Sequence, residues 1–177
     1  MKEFSSFLKK RGFILKDKVK SLYRRGSYEY FFNVPYKHKY VLLSIKPEYA
    51  SAIAKGIKKV EFRKRIFSET VERAFVYSSS PVKKIIGSFL VSHIEKGTPD
   101  YIWEEYSKYG SISRDKFFDY FQNHTVAFGI EILRFDLYKE PLDPYSIDLK
   151  FRAPQSFCYI DNVEIIKRLF TGYYDNK

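Results

Sequence analysis

The sequence predicts an α+β fold: a small mixed β-barrel with a short helix after its first strand and a helical insertion, preceded by a helix and two strands. Three observations lead there. Apolar runs are short and alternate with charged residues at the period of a half-buried strand, as in residues 28–34 and 60–63. Helix-start signals are few: Pro47 early on, then Thr98-Pro99-Asp100 and Ser113-Arg114-Asp115 just before strands resume. The chain has 177 residues, 45% hydrophobic and 19% aromatic, enough for one well-buried domain with an appendage and too little for two ordinary domains. That composition excludes wholesale disorder. Closing the strands into a barrel would also remove exposed sheet edges.

In chain order, Phe4, Phe7 and Leu8 share one face of a helix over residues 2–11, which Gly12 stops. Residues 13–23 read as a strand, Arg25-Gly26-Ser27 as a turn and residues 28–34 as a second strand. Pro35 removes a backbone donor and begins a basic linker, so residues 1–39 are expected to form an extension ahead of the barrel. The barrel spans 40–160, and 161–177 form a C-terminal helix and tail. Residues 40–44 are a compact apolar strand, and Pro47 opens a two-turn helix that ends at Gly56. Strands follow at 60–63, 74–77 and 85–94, then helices at 101–109 and 117–121. Two more strands occupy 125–133 and 134–138, a proline-rich passage reaches Phe157-Cys158-Tyr159, and a last helix covers 162–170. There is no internal repeat.

Charge is unevenly distributed. Residues 1–40 carry 11 basic and 3 acidic residues, net +8; residues 41–90 carry 10 and 4, net +6; residues 91–177 carry 11 and 14, net −3. A basic half joined to a mildly acidic half points to a polyanionic partner, RNA or a nucleotide, because neutralising phosphates releases counterions. The same lysines also suit a second reading, in which they keep an aromatic-rich surface in solution. No apolar stretch approaches the ~20 residues that span a bilayer, and the N-terminus lacks a signal-peptide core. A soluble cytoplasmic protein with no membrane partner is expected. One cysteine, Cys158, and three scattered histidines give no disulfide and no zinc spacing, so neither metal nor cofactor is expected.

The densest polar constellation is Ser44-Ile45-Lys46-Pro47 with Gly56-Ile57-Lys58-Lys59-Val60-Glu61-Phe62-Arg63-Lys64-Arg65. Period-two geometry places Lys59, Glu61, Arg63 and Arg65 on one face of a strand and Val60 and Phe62 on the other. With Val60 and Phe62 facing the core, the charged face points outward and Lys58 is exposed. One account is a solvated strand face. The other is an anion-binding or base-reading cleft in which Lys46 and Lys58 converge from the two ends of the helix-bearing connection.

Residues 41–50, Val-Leu-Leu-Ser-Ile-Lys-Pro-Glu-Tyr-Ala, with Gly56-x-Lys-x-x-Glu-x-Arg63, Tyr77-Ser-Ser-Ser-Pro81 and Ile86-Gly87, resemble the ASCH domain, a branch of the PUA-like barrels. Residues 114–121, the strand 126–132 and Arg152-Ala-Pro-Gln-Ser-Phe157 fit its longer members, so the resemblance covers about residues 40–160. It implies a PUA-like barrel whose cleft is lined by the Lys-Pro loop and the Gly-x-Lys segment, and a role in RNA binding or processing. A small amidohydrolase branch acting on N-acetylated cytidine is similar in having a lysine two positions after the glycine, here Lys58. Where that branch has a threonine this chain has Glu61, and its catalytic glutamate aligns loosely with Glu104 or Glu105. An enzyme built on Lys58 and Glu61 would then use the carboxylate as general base instead of a lysine-activated hydroxyl. Phe4-x-x-Phe-Leu-Lys-Lys-Arg-Gly-Phe13 and Tyr28-Glu-Tyr-Phe-Phe-Asn33 resemble the C-terminal end of a GNAT acetyltransferase domain without its cofactor loop. A basic helix and two strands docked on the barrel are the favoured account of them.

Other residues carry two readings each. Ser78 and Ser79 either offer hydroxyls to a phosphate or end a strand in a serine-rich turn. Gln155 either reads a base edge or satisfies a closing loop. Tyr101, Trp103 and Tyr106 suit a stacking surface or a helix core. Cys158, between Phe157 and Tyr159, reads as a buried thiol. The nucleic-acid-binding set is therefore Lys46, Lys58, Lys59, Arg63, Arg65, Ser78, Ser79 and Gln155, with Lys58 and Glu61 catalytic if there is turnover. Three functions remain open: an RNA- or nucleotide-binding module, an RNA- or nucleoside-acting enzyme (ribonuclease or amidohydrolase), and a regulatory domain that meets a protein partner, with residues 1–34 a further surface for one.

Overall fold

A computed structural model describes residues 39–171; the expected helix and strands of residues 1–38, and with them the GNAT resemblance, lie outside the described residues. The elements are β1 (Lys39–Ile45), α1 (Pro47–Ala54), β2 (Val60–Arg63), β3 (Val71–Ser78), β4 (Lys84–Gly97), α2 (Pro99–Gly110), α3 (Arg114–Phe121), β5 (Ala127–Leu142), α4 (Pro144–Ile147), β6 (Phe157–Ile160) and α5 (Val163–Thr171). The strands form one six-stranded sheet in the order β2-β5-β4-β3-β1-β6, curled into a half-barrel. β1 runs parallel to β3, and every other neighbouring pair is antiparallel. The parallel pair requires a crossover, and α1 and β2 lie within it.

Alternation along β1 and β3 puts Val41, Leu43, Ile45, Ala74 and Val76 on one face, where they pack with Ala50 and Ile53 of α1. Tyr40 and Phe75 point to the other face and meet Phe170 of α5, ring centroids 5.6 and 5.5 Å away. Both faces are covered, which is why residues 41–43 read as an unbroken apolar run. One strand, β5, runs from 127 to 142 where two were expected over 125–133 and 134–138. Register shifts against Val91 bend the β4–β5 pair, so the continuous β5 serves β2 with residues 128–131 and β4 along its whole length. Gly87 lies in the same irregular stretch, at φ +152°, where a Cβ would sit 2.3 Å from the Asp136 carbonyl oxygen.

The inserted helices start where the sequence marks them. The Thr98 hydroxyl accepts from Tyr101 N at 3.2 Å and the Ser113 hydroxyl from Lys116 N at 3.4 Å, both as N-caps. Aromatic packing joins α2 and α3 to β2: Phe117 lies 4.9 Å from Phe62 and 5.1 Å from Trp103. Tyr106 is fully buried, so within the expected aromatic trio it is core, while Tyr101 is exposed. Cys158 corrects the reading of a buried thiol. On β6 its neighbours Phe157 and Tyr159 turn toward the core, and alternation leaves Cys158 exposed. No helix among the described residues is long and apolar enough to cross a membrane.

Candidate functional site

The outer strands of the half-barrel meet through a side chain instead of a ladder. Arg63, the last residue of β2, donates to the Ser44 carbonyl of β1 at 2.9 Å and to the Ser156 carbonyl just before β6 at 3.3 Å. Ser44 ties the same loop from its other side, its hydroxyl donating to the Pro154 carbonyl at 2.6 Å and its backbone N–H to Ser156 at 3.0 Å. Three segments far apart in the chain thereby close on one another. A cavity of about 910 Å³ opens between them and α1 and α3. That volume suits a small-molecule or single-nucleotide site.

The floor of this cleft is ionic. Glu61 Oε1 lies 3.1 Å from Arg63 Nε and Glu61 Oε2 lies 3.4 Å from Lys58 Nζ. All three residues are buried, at 3% exposure for Lys58, 6% for Glu61 and 5% for Arg63. This overturns the expectation of an outward-pointing charged face and an exposed Lys58. Alternation was right, but the face opposite Val60 and Phe62 is roofed by the 153–156 loop, α1 and α3. Lys58 Nζ also donates to the Gly110 carbonyl at 2.6 Å and sits 5.1 and 4.9 Å from the ring centroids of Tyr49 and Phe62. Burial pulls its ammonium pKa down, opposed by the Glu61 carboxylate. Gly110 is small for a reason: a Cβ there would lie 2.1 Å from Phe62, the ring on which Lys58 rests.

The walls and rim come from several elements. Tyr49 of α1, Tyr77 of β3 and Tyr120 of α3 all line the cavity. Burial is the first cause raising the pKa of each phenol, with the Glu61 carboxylate a further cause at Tyr49 and Tyr120. Of the expected binding set, Lys46, Lys58, Arg63, Ser79 and Gln155 are brought together here along with Glu61. Lys59, Arg65 and Ser78 are not among the lining residues. Lys59 is held by its backbone, its N–H on Tyr109 and its carbonyl on Ile132; Arg65 follows the end of β2 and is exposed; Ser78 is buried in the ladder opposite Ile45 and Lys84. Missed from the sequence were Tyr120, which reaches the cleft from a helix read only as insertion, and Lys83 and Lys116 on the rim. Their signal was weak, since a tyrosine or lysine in an amphipathic helix or turn is ordinary. Among the described residues, no group of three His, Cys, Asp or Glu side chains is placed to hold a metal ion.

With this geometry in view, residues 43–136 match the ASCH domain. The chain belongs to the ASCH domain family. A protein of Zymomonas mobilis named ASCH domain-containing ribonuclease is 31% identical over 136 residues, which are 73% of this chain and 89% of that one. The crystal structure of a variant of ZmASCH from the same organism superposes with a TM-score of 0.71 at 28% identity, covering 76% of this chain and 98% of the other. A Ureaplasma parvum protein named ATP synthase subunit alpha is 28% identical over 121 residues, 68% of this ASCH chain but only 15% of that protein.

Proposed function

We propose that this ASCH protein binds single-stranded RNA and takes one unstacked nucleotide into the cleft. The observation that carries the reading is a nucleotide-sized cavity with tyrosines in its walls, more lysine and arginine than carboxylate around it, and a buried Lys58–Glu61–Arg63 floor. Tyrosines offer faces for a splayed base, exposed cations meet the backbone, and polar edges at Gln155 and Ser79 are within the same cavity. Residues 1–90 with their net +14 supply the long-range attraction. The test is binding of a labelled single-stranded oligoribonucleotide at low and moderate salt. Tight binding at low salt that weakens steeply is expected, and an absence of binding at low salt would refute it.

A second reading, cleavage of the bound RNA, is favoured by the relative named a ribonuclease and by the lowered pKa of Lys58 beside Glu61. A buried lysine whose pKa is lowered by burial, 3.4 Å from a carboxylate, has the makings of a proton-transfer pair. Such a pair could take the proton of an attacking hydroxyl and return one to the leaving oxygen. Incubating the bound oligonucleotide and sizing the products separates binding from turnover. Lys58→Met should abolish any cleavage it detects.

A further inference from the structure

We infer that Lys46 and Lys83 form a clamp for a phosphate attached to the nucleotide in this cleft, so that its ligand is a phosphorylated nucleotide or an RNA phosphodiester and not a free nucleoside. The inference rests on the RNA-binding reading and deepens it. It begins with charge. Five cations line the cleft, Lys46, Lys58, Arg63, Lys83 and Lys116, against the carboxylates of Glu48, Glu61 and Asp119. Glu61 is held between Lys58 and Arg63 on the floor, and Glu48 lies 3.6 Å from Lys116. Lys46 and Lys83 form no ion pair with any described residue. Asp119 is carried by α3, the helix that brings Tyr120.

Backbone geometry then singles out Lys83. It has φ +52°, the left-handed region where a lysine is disfavoured and glycine is at ease. Lys84, its neighbour, is on the sheet side and pairs with Asp143 at 2.5 Å, whereas Lys83 lines the cleft. A side chain kept at a backbone position that suits glycine better points to a use for that side chain. The loop bearing Lys83 is tied to the one bearing Lys46, because Ser79 N donates to the Ile45 carbonyl at 2.9 Å. Lys46 stands at the N-cap position of α1, is exposed and lines the cleft. Ser79 and Ser80 line the same cleft, and their hydroxyls suit phosphate oxygens.

The experiment measures affinity for a single-stranded octauridylate without terminal phosphates across a salt series, using the full chain and the variants Lys46→Gln, Lys83→Gly and Lys150→Gln. Uridine and uridine monophosphate serve as competitors. Each clamp variant should reduce the slope of log affinity against log salt by about 0.7, the release from one single-strand phosphate contact. Lys150→Gln, away from the cleft, should leave it unchanged. Lys83→Gly should melt no lower than the wild type while binding more weakly, which separates a ligand contact from a folding defect. A monophosphate that competes better than uridine identifies a terminal phosphate as a sufficient ligand; equal, weak competition with the slope changes intact assigns the clamp to internal phosphodiesters. If the wild type binds the octamer and both clamp variants keep its slope, the clamp is refuted and the RNA reading stands. If the wild type binds no RNA, both fall.

Discussion

Replacing Glu61 with glutamine tests whether the cleft floor is a buried ion network or a solvated strand face. Coulomb's law at an effective dielectric near 20 gives about 5 kcal/mol of attraction for each of the pairs at 3.1 and 3.4 Å. Glutamine keeps the shape and removes both attractions, leaving two cations side by side in a buried site. Burial already lowers the Lys58 pKa and loss of the Glu61 carboxylate lowers it further, so deprotonation of Lys58 relieves part of the penalty and the net loss is smaller than the gross. Breaking a buried ion network by removing one partner costs about 3–5 kcal/mol. In a chain of 177 residues that lowers the melting temperature by about 6–20 °C. Urea and thermal unfolding of Glu61→Gln against the wild type, with the exposed Glu104→Gln as control, measure it. Both variants falling within about 0.5 kcal/mol of wild type would show that the floor is wet and the network weak.

Three further outcomes are expected. Gly110→Ala should cost about 1–3 kcal/mol by driving a methyl group into Phe62, read as a lower urea midpoint with an unchanged m-value. Lys58 has a folded pKa below its ordinary 10.5, so between the two values the unfolded chain binds more protons and rising pH favours the fold. The stability of the wild type relative to Lys58→Met should therefore climb as pH approaches about 10.5 and be flat below the folded pKa; a difference independent of pH would remove the burial argument. Tyr101 and Tyr120 are both 39% exposed, but only Tyr120 lines the cleft, so Tyr120→Ala should weaken oligonucleotide binding by about 1–3 kcal/mol while Tyr101→Ala leaves it unchanged.

Local order along the chain was legible because it depends on neighbours in sequence. Pro47, Thr98 and Ser113 announced three helix starts, and the β2 alternation put Glu61 and Arg63 on the same face. What escaped was whatever distant residues decide. Arg63 is buried because Ser44 and Ser156, 19 and 93 positions away, accept its donors, and a pattern within β2 contains no trace of either. Taking β5 for two strands failed for a related reason. Its bend comes from register shifts against β4, a property of the pair and not of either sequence. Nothing in the sequence around Lys83 marks it, since Ser78-Ser79-Ser80-Pro81 already explains a turn, and only its dihedral angle sets the lysine apart.

The cleft divides its charges by depth, and the division changes what Lys58 does. On the floor, Lys58, Glu61 and Arg63 spend their charge on one another and on the carbonyls of Gly110, Ser44 and Ser156. Little of that field is left for a distant phosphate, and the geometry it fixes is that of the loops around the cavity. Lys46 and Lys83 at the rim have the opposite character: exposed, in no ion pair with any described residue, and able to exchange counterions for phosphate. Under the proposed RNA-binding reading, salt dependence would belong to the rim, and the shape of the cavity to the floor. On the same reading Lys58, expected from the sequence to converge with Lys46 on an anion, would act by positioning or proton transfer and not by long-range attraction. A bound anion above it would favour its protonated form, so ligand binding and the Lys58 proton are thermodynamically coupled even if the ligand never touches the ammonium.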